Sequence, residues 1–194
     1  MGQVDDILTF WFGNPVTDDT RYQARRKVWF RKSPEVDQAV CDRFQSVYEA
    51  ASRGDLDHWR RTPQGSLALV LVLDQFPRHL FRDEPRAFAT DAEALLVAKE
   101  AIAQGFDEAL PPLQRMFFYF PLEHCEDAIA QQQSVALFRQ LVAQQPELAD
   151  ALDYALRHQA VIDQFGRFPH RNAILGRVST PTETEFLKQP GSSF

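Results

Sequence analysis

The sequence has only two cysteines, Cys41 and Cys125, and no CxxC pair. That excludes a disulfide framework and a thiolate zinc site, and makes a reducing cytoplasm the simplest compartment. It has no basic surplus: 21 Lys and Arg stand against 27 Asp and Glu, for a net charge of −6. A dedicated nucleic-acid binder carries excess cations to displace counterions, so no nucleic-acid partner is expected. Long apolar runs are missing too. The longest aliphatic stretch, LALVLVL at 67–73, is far too short to span a bilayer, and no membrane partner is expected. The start, MGQVDDILTF, lacks the basic n-region of a signal peptide, and Asp6 stands where myristoylation after Gly2 wants Ser or Thr.

What is present is phenylalanine and helix punctuation. Sixteen Phe accompany four Tyr and three Trp, in a chain that is 44% hydrophobic and 25% charged, an ordinary globular balance. At 194 residues it is long enough to bury a core, and we expect one domain over 1–194. Ser33-Pro34-Glu35 reads as an N-cap with proline at the first helical position. Val36, Val40, Phe44, Val47 and Ala51 then recur at helical spacing as far as Gly54. Thr62-Pro63 opens a second helix that carries LALVLVL to Phe76. TDAE at 90–93 and TPTE at 180–183 read as capping boxes. Further helices are expected over 4–12, 19–31, 111–120, 126–145 and 146–165. These make about nine helices joined by short Pro- or Gly-marked turns, an all-α chain of antiparallel pairs in a compact bundle or α-solenoid.

Two segments share a core. LDQFPRHLF at 73–81 and VIDQFGRFPHRN at 161–172 both contain Asp-Gln-Phe-x-Arg, and half of the positions from Leu67 to Arg78 match those from Leu156 to Arg167. Each core sits at the end of an apolar helix, just before Pro77 or Gly166. An exposed acid there faces the negative pole of the helix dipole, at a cost of a few tenths to about 1 kcal/mol. Arg78 and Arg167 stand four residues after Asp74 and Asp163, in the favourable acid-before-base order, where a bidentate fork would offset that cost. One reading makes the doublet a helix-ending brace used twice. The other makes it a pair of polar clusters facing one cleft, with the arginines holding an anion.

Other polar residues cluster nearby. PLEHCED at 121–127 places His124 among carboxylates, where an imidazole works as a general acid or base or caps a helix. His158 lies on the apolar side of its helix and needs a hydrogen-bond partner if buried. The loop QFGRFPHRN at 164–172 brings Arg167, Arg171 and Asn172 together, with His170 between them. RYQARRKVWFRK at 21–32 carries six basic residues and no acid. It reads as a solvated helix face with Tyr22, Trp29 and Phe30 turned inward. No spacing resembles a metal-ligand signature, and no metal or cofactor is expected.

With LDQFPRHLFR, PRAFATDAEAL, FFYFPLEHCED, HQAVIDQFGRFPHRNAILGR, STPTETEFL and the terminal PGSSF in view, the chain resembles a bacterial family known as domain of unknown function 924. The resemblance runs from ILTFWFG at 7–13 to the C-terminus. It implies an all-helical fold similar to tetratricopeptide repeats with degenerate repeats, although the usual period of about 34 residues is not visible. It implies no activity, substrate or cofactor. Residues matching the family pattern are Asp74, Gln75, Phe76, Pro77, Arg78, His124, Glu126, His158, Phe165, Gly166, Arg167, Pro169, Arg171 and Asn172. His79 departs from a common Asn, and Cys125 from a common Ser, which weakens any thiol chemistry.

Three functional expectations follow. The first is a site for a small anionic molecule or a peptide end, bound by Arg78, Arg167, Arg171, Asn172 and His158. In it Asp74, Asp163 and Glu126 are supports, and His124 is the acid or base if chemistry occurs. The second is a tetratricopeptide-like scaffold that binds another protein. The third is a metal-dependent hydrolase built on Glu123, His124, Glu126 and His158.

Overall fold

The computed structural model describes residues 2–18 and 21–193. Among them every regular element is helical. In order these are α1 (Gln3–Phe12), α2 (Tyr22–Phe30), α3 (Pro34–Ser52), α4 (Pro63–Val70), α5 (Phe76–Leu80), α6 (Asp91–Ala103), α7 (Pro112–Glu123), α8 (Ala128–Gln144), α9 (Ala149–Phe165) and α10 (Pro181–Phe186). A π turn, Leu71–Gln75, joins α4 to α5 in one unbroken rod, so the described residues form nine rods. The helix expected over 19–31 is seen as α2; Asp19 and Thr20 lie outside the described residues.

Local signals account for most boundaries. The Ser33 hydroxyl accepts from the Val36 amide at 3.4 Å, and Thr62 from Gly65 at 3.1 Å. Asp127 accepts from Ala130 at 2.8 Å to start α8, and Thr180 with Glu183 closes a full capping box on α10. Gly65 lies so close to the Trp59 carbonyl that a Cβ would stand 2.3 Å from it. LALVLVL is buried on every side, which explains why it lacks a polar stripe without being a strand. Pro121 does not end α7 at Phe120 as expected; the helix continues through it to Glu123.

The main apolar core runs from Ile7 in α1 to Ala155 in α9. At its centre Trp11 meets Phe76, Phe117 and Trp29 at ring separations of 5.6, 5.9 and 6.5 Å. α7, α8 and α9 pack in sequence through short connections, and a small second cluster of Val161, Ile162 and Phe168 extends the core under the loop after α9. No helix among the described residues is long and apolar enough to cross a membrane.

Candidate functional site

The site begins with a proline. Pro77 has no N–H to bond the Leu73 carbonyl, and its ring crowds that carbonyl. The helix answers with the π turn and carries on to Leu80, rather than ending before Pro77 as the sequence suggested. The freed Leu73 carbonyl accepts a hydrogen bond from the Thr90 hydroxyl at 2.6 Å. Thr90 therefore does not cap α6 with its side chain, and the capping box expected there does not form.

The same turn swings Asp74 into the interior, where it is 0% exposed. It sits mid-rod, so the helix-end dipole argument does not apply to it. Its carboxylate accepts from Gln75 Nε2 at 2.6 Å and His124 Nδ1 at 2.7 Å, and lies 3.4 Å from Arg78 Nη1. Arg78 also donates to the Asp74 backbone carbonyl, and to both Asp91 oxygens at 3.1 and 3.3 Å. Burial pushes the Asp74 pKa up, but the Arg78 charge and the hydrogen bonds from His124 and Gln75 outweigh it and hold Asp74 well below the usual carboxylate range.

The second copy of the motif behaves differently. Gly166 takes a left-handed φ of 66° and ends α9 outright. Asp163 is left exposed in the last turn, and Arg167 does not fold back to it. Instead the Arg167 guanidinium forms a fork on Glu183 at 2.6 and 2.8 Å and donates to the Val178 carbonyl at 3.0 Å. Asn172 donates to Ser179 and Glu183 at 3.0 and 3.3 Å. Glu126 accepts from the Phe168 amide at 2.7 Å and from Arg177 at 2.7 and 3.0 Å. These residues clasp the loop between α9 and α10.

Of the residues in the anion-site reading, five converge. Arg78, His124, His158 and Arg171 line a cleft of about 620 Å3, with Asp74 directly behind His124. The walls come from α2, the π turn and α5, the end of α7, α9, and the loop that carries His170 and Arg171. Arg167, Asn172, Glu126 and Asp163 are not in the lining.

The imidazole tautomers follow from their partners. Ionised Asp74 only accepts, so His124 Nδ1 donates and its Nε2 is left as the acceptor. Phe120 stacks on the His124 ring at 6.0 Å and 17°. His158 Nδ1 donates to the Tyr154 carbonyl at 2.9 Å and lies 3.1 Å from Glu123 Oε1. Burial, reinforced by His124, lowers the His158 pKa to about 3. Burial, reinforced by Arg171, lowers that of His170 to about 4.

Several buried polar atoms lack a hydrogen bond among the described residues, Asn172 Oδ1 and Arg177 Nε in the clasp among them, and two such groups, Glu123 and Arg171, line the cleft. Glu123 is 3% exposed and its Oε2 has no hydrogen bond; burial and the Asp74 charge raise its pKa well above the normal value and favour the neutral acid. Arg171 is 7% exposed, yet among the described residues its side chain makes one hydrogen bond, a 3.4 Å contact to an Asp91 already shared with Arg78. Its Nε is buried without a partner, and its guanidinium lies over Phe168 and Phe88 at 4.6 and 4.7 Å. Burial and the Arg78 charge bring its pKa down to about 10.

A family model for bacterial proteins of unknown function (DUF924) matches residues 7–191. The chain belongs to the DUF924 family. A solved structure of a protein of unknown function from Agrobacterium tumefaciens is similar to this chain at 40% identity. The two superpose with a TM-score of 0.81 over 95% of this chain and 96% of that one. No curated protein matches.

In this DUF924 protein several cleft residues escaped the sequence reading. α2 was expected to be a solvated basic face. In the structure it forms a cleft wall, with Arg26, Arg31 and Lys32 along it and Phe30 half exposed rather than turned inward. His79 also reaches the lining, held by Asp37 at 2.8 Å, while Arg82 forks on the same Asp37 at 2.6 and 3.0 Å. Glu123, an acid after the apolar run FFYFPL, entered the sequence reading only as a metal ligand. The four residues of the hydrolase reading divide: Glu123, His124 and His158 face the cleft, while Glu126 turns to Arg177. Among the described residues no group of three or more His, Cys, Asp or Glu is arranged to hold a metal ion.

Proposed function

We propose that the cleft binds a small anionic organic molecule, a carboxylate or phosphate attached to an apolar or aromatic body. Arg171 is the observation that carries this reading. A guanidinium offers five donors, and a buried one is normally met by a carboxylate fork or carbonyls. Here the described residues supply one long bond, to a shared acid. An anion in the cleft would complete the shell. Arg78 stands beside it and steadies Asp91, and His158 adds a neutral ring to the wall.

The charge balance supports the same reading. The lining holds six Arg or Lys against three Asp or Glu, in a chain whose net charge is −6. Arg31 and Lys32 are exposed and form no ion pair among the described residues, so they add attraction where a ligand enters. Trp29, Phe30, Phe88 and Phe120 give the body of the ligand an aromatic surface. In this reading Arg167, Asn172 and Glu126 act indirectly, by clasping the loop that presents Arg171. The end of a peptide is the second occupant, since it also offers a carboxylate. A broad apolar docking groove is less favoured: the most exposed large apolar side chains, Val16, Ile129 and Val178, lie on separate elements.

The same proposal takes residues 1–194 as one domain in the bacterial cytoplasm, supported by a core shared from α1 to α9 and two free cysteines. A single cooperative unfolding transition is expected.

Thermal shift tests the site. Benzoate, phenyl phosphate and phenylpyruvate are titrated against the wild type and Arg171→Met. A concentration-dependent rise in Tm in the wild type and none in the variant is expected. Equal shifts in both proteins would remove Arg171 as the anchor.

A further inference from the structure

Beside the anchor stand two groups suited to moving protons. His124 is backed by the fully buried Asp74 at 2.7 Å, which occupies Nδ1, is steadied by the Phe120 ring, and lines the cleft. Glu123, its neighbour in sequence, has one carboxyl oxygen 3.1 Å from His158 Nδ1 and the other buried with no partner. A scaffold would gain nothing from burying that oxygen unmatched, because an unsatisfied buried polar group costs its full desolvation.

We infer that the cleft is an active site for acid–base catalysis on an oxo acid with an aromatic or apolar side group, with His124 as the base and Glu123 as the acid. This rests on the anion-binding reading, since Arg171 must first hold the substrate carboxylate. His124 Nε2 takes a proton from the carbon next to the carbonyl. The C–H electron pair becomes the new C=C bond, the carbonyl π pair moves to oxygen, and that oxygen takes the proton of Glu123. The product is the enol. Reversal, after both groups exchange with solvent, returns the ketone with a solvent proton on carbon.

Several features favour this step over covalent chemistry. Among the described residues His124 hydrogen-bonds no serine, threonine or cysteine that it could turn into a nucleophile. The Cys125 thiol is pushed up by burial and by Asp127, away from the reactive thiolate. The two carboxyls behind the cleft are driven in opposite directions: Asp74 stays ionised to hold His124 Nδ1–H, and Glu123 is pushed toward the neutral acid that the step needs.

The test uses phenylpyruvate in D2O, followed by proton NMR at its methylene group, with the enol read by ultraviolet absorbance. The wild-type chain is expected to speed exchange by at least about tenfold over buffer. His124→Gln and Glu123→Gln should each remove most of that gain while leaving the Tm within a few degrees and the phenylpyruvate-induced shift intact. Exchange no faster than buffer overturns the inference whether or not phenylpyruvate binds, and a retained Tm shift then leaves the anion-binding reading standing. Exchange that persists in both variants also overturns it. Loss of both exchange and Tm shift in the wild type sinks the two readings together.

Discussion

Two polar regions lie on either side of the loop after α9, and they treat their charges in opposite ways. In the clasp, Arg167 and Glu183 meet as a two-bond fork, Arg177 and Glu126 do the same, and Asn172 adds further bonds to Glu183 and Ser179, so that each charge has its counter-charge even though Arg177 Nε and Asn172 Oδ1 stay without a hydrogen bond. In the cleft, Arg171 makes one long bond and Glu123 leaves an oxygen empty, although both are more deeply buried than Arg167 or Glu126. Matched charges hold a fold in place. Buried charges left short of partners weaken it, and a protein that keeps them is giving up stability for something else. Arg78 sits between these cases: it lines the cleft but is fully engaged with Asp74 and Asp91.

The largest effect should come from Arg78. Arg78→Ala strands a wholly buried Asp74 with a histidine and a glutamine as its remaining partners, and should cost about 3 kcal/mol in urea unfolding. A neutral outcome would mean that full pairing does not mark structural charges here. Arg171→Met should go the other way, leaving stability unchanged or raising it by about 1 kcal/mol or more, since no matched partner is lost. A large loss there would erase the distinction between the two regions. Glu183→Ala removes the capping box of α10 and the acceptor of the Arg167 fork. It should cost about 1–2 kcal/mol and, by loosening the loop that presents Arg171, lower anion-induced stabilisation without abolishing it.

A further effect, confined to acid pH, is in the pH dependence. His158 has a pKa of about 3 when folded, against about 6.5 in an unfolded chain. Below pH 6.5 the unfolded state therefore takes up a proton that the folded state refuses. Its contribution is present above that pH and is lost as pH falls toward 3. His170 acts in the same direction, with a folded pKa of about 4. His158→Gln should flatten the acid-side decline in Tm between pH 6.5 and 3; an unchanged slope would show that burial of this ring is not what sets it.

Most of the fold was legible because its signals are local. Ser33, Thr62 and Thr180 cap the helices they precede, Gly166 ends α9, and the step pattern of Val40, Phe44 and Val47 marks a buried face. The failures came where a distant group overrode a local one. Thr90 has the sequence of a capping residue, but Pro77 left the Leu73 carbonyl unmet and the Thr90 hydroxyl went there. α2 has the composition of a solvated face, yet α9 and α7 stand opposite and make it a wall. The site was half legible: Arg78, Glu123, His124, His158 and Arg171 stood out by type and setting, while His79 and the place of the α2 cations in the wall did not.

The sequence by itself determined that this chain is helical, where its helices begin, and which family it belongs to, because capping, periodicity and motif order act over a few residues. It wrote Asp-Gln-Phe-x-Arg twice, but one residue after each Phe sent the copies to different ends. Proline forced a π turn that buried Asp74, and glycine stopped the helix with Asp163 in water. Only the tertiary structure decided which charges would be matched. Asp74 meets a histidine 50 residues away and Arg171 an acid 80 residues away. Whether a buried charge is satisfied depends on what the rest of the chain brings within about 3 Å of it, and no local pattern encodes that distance.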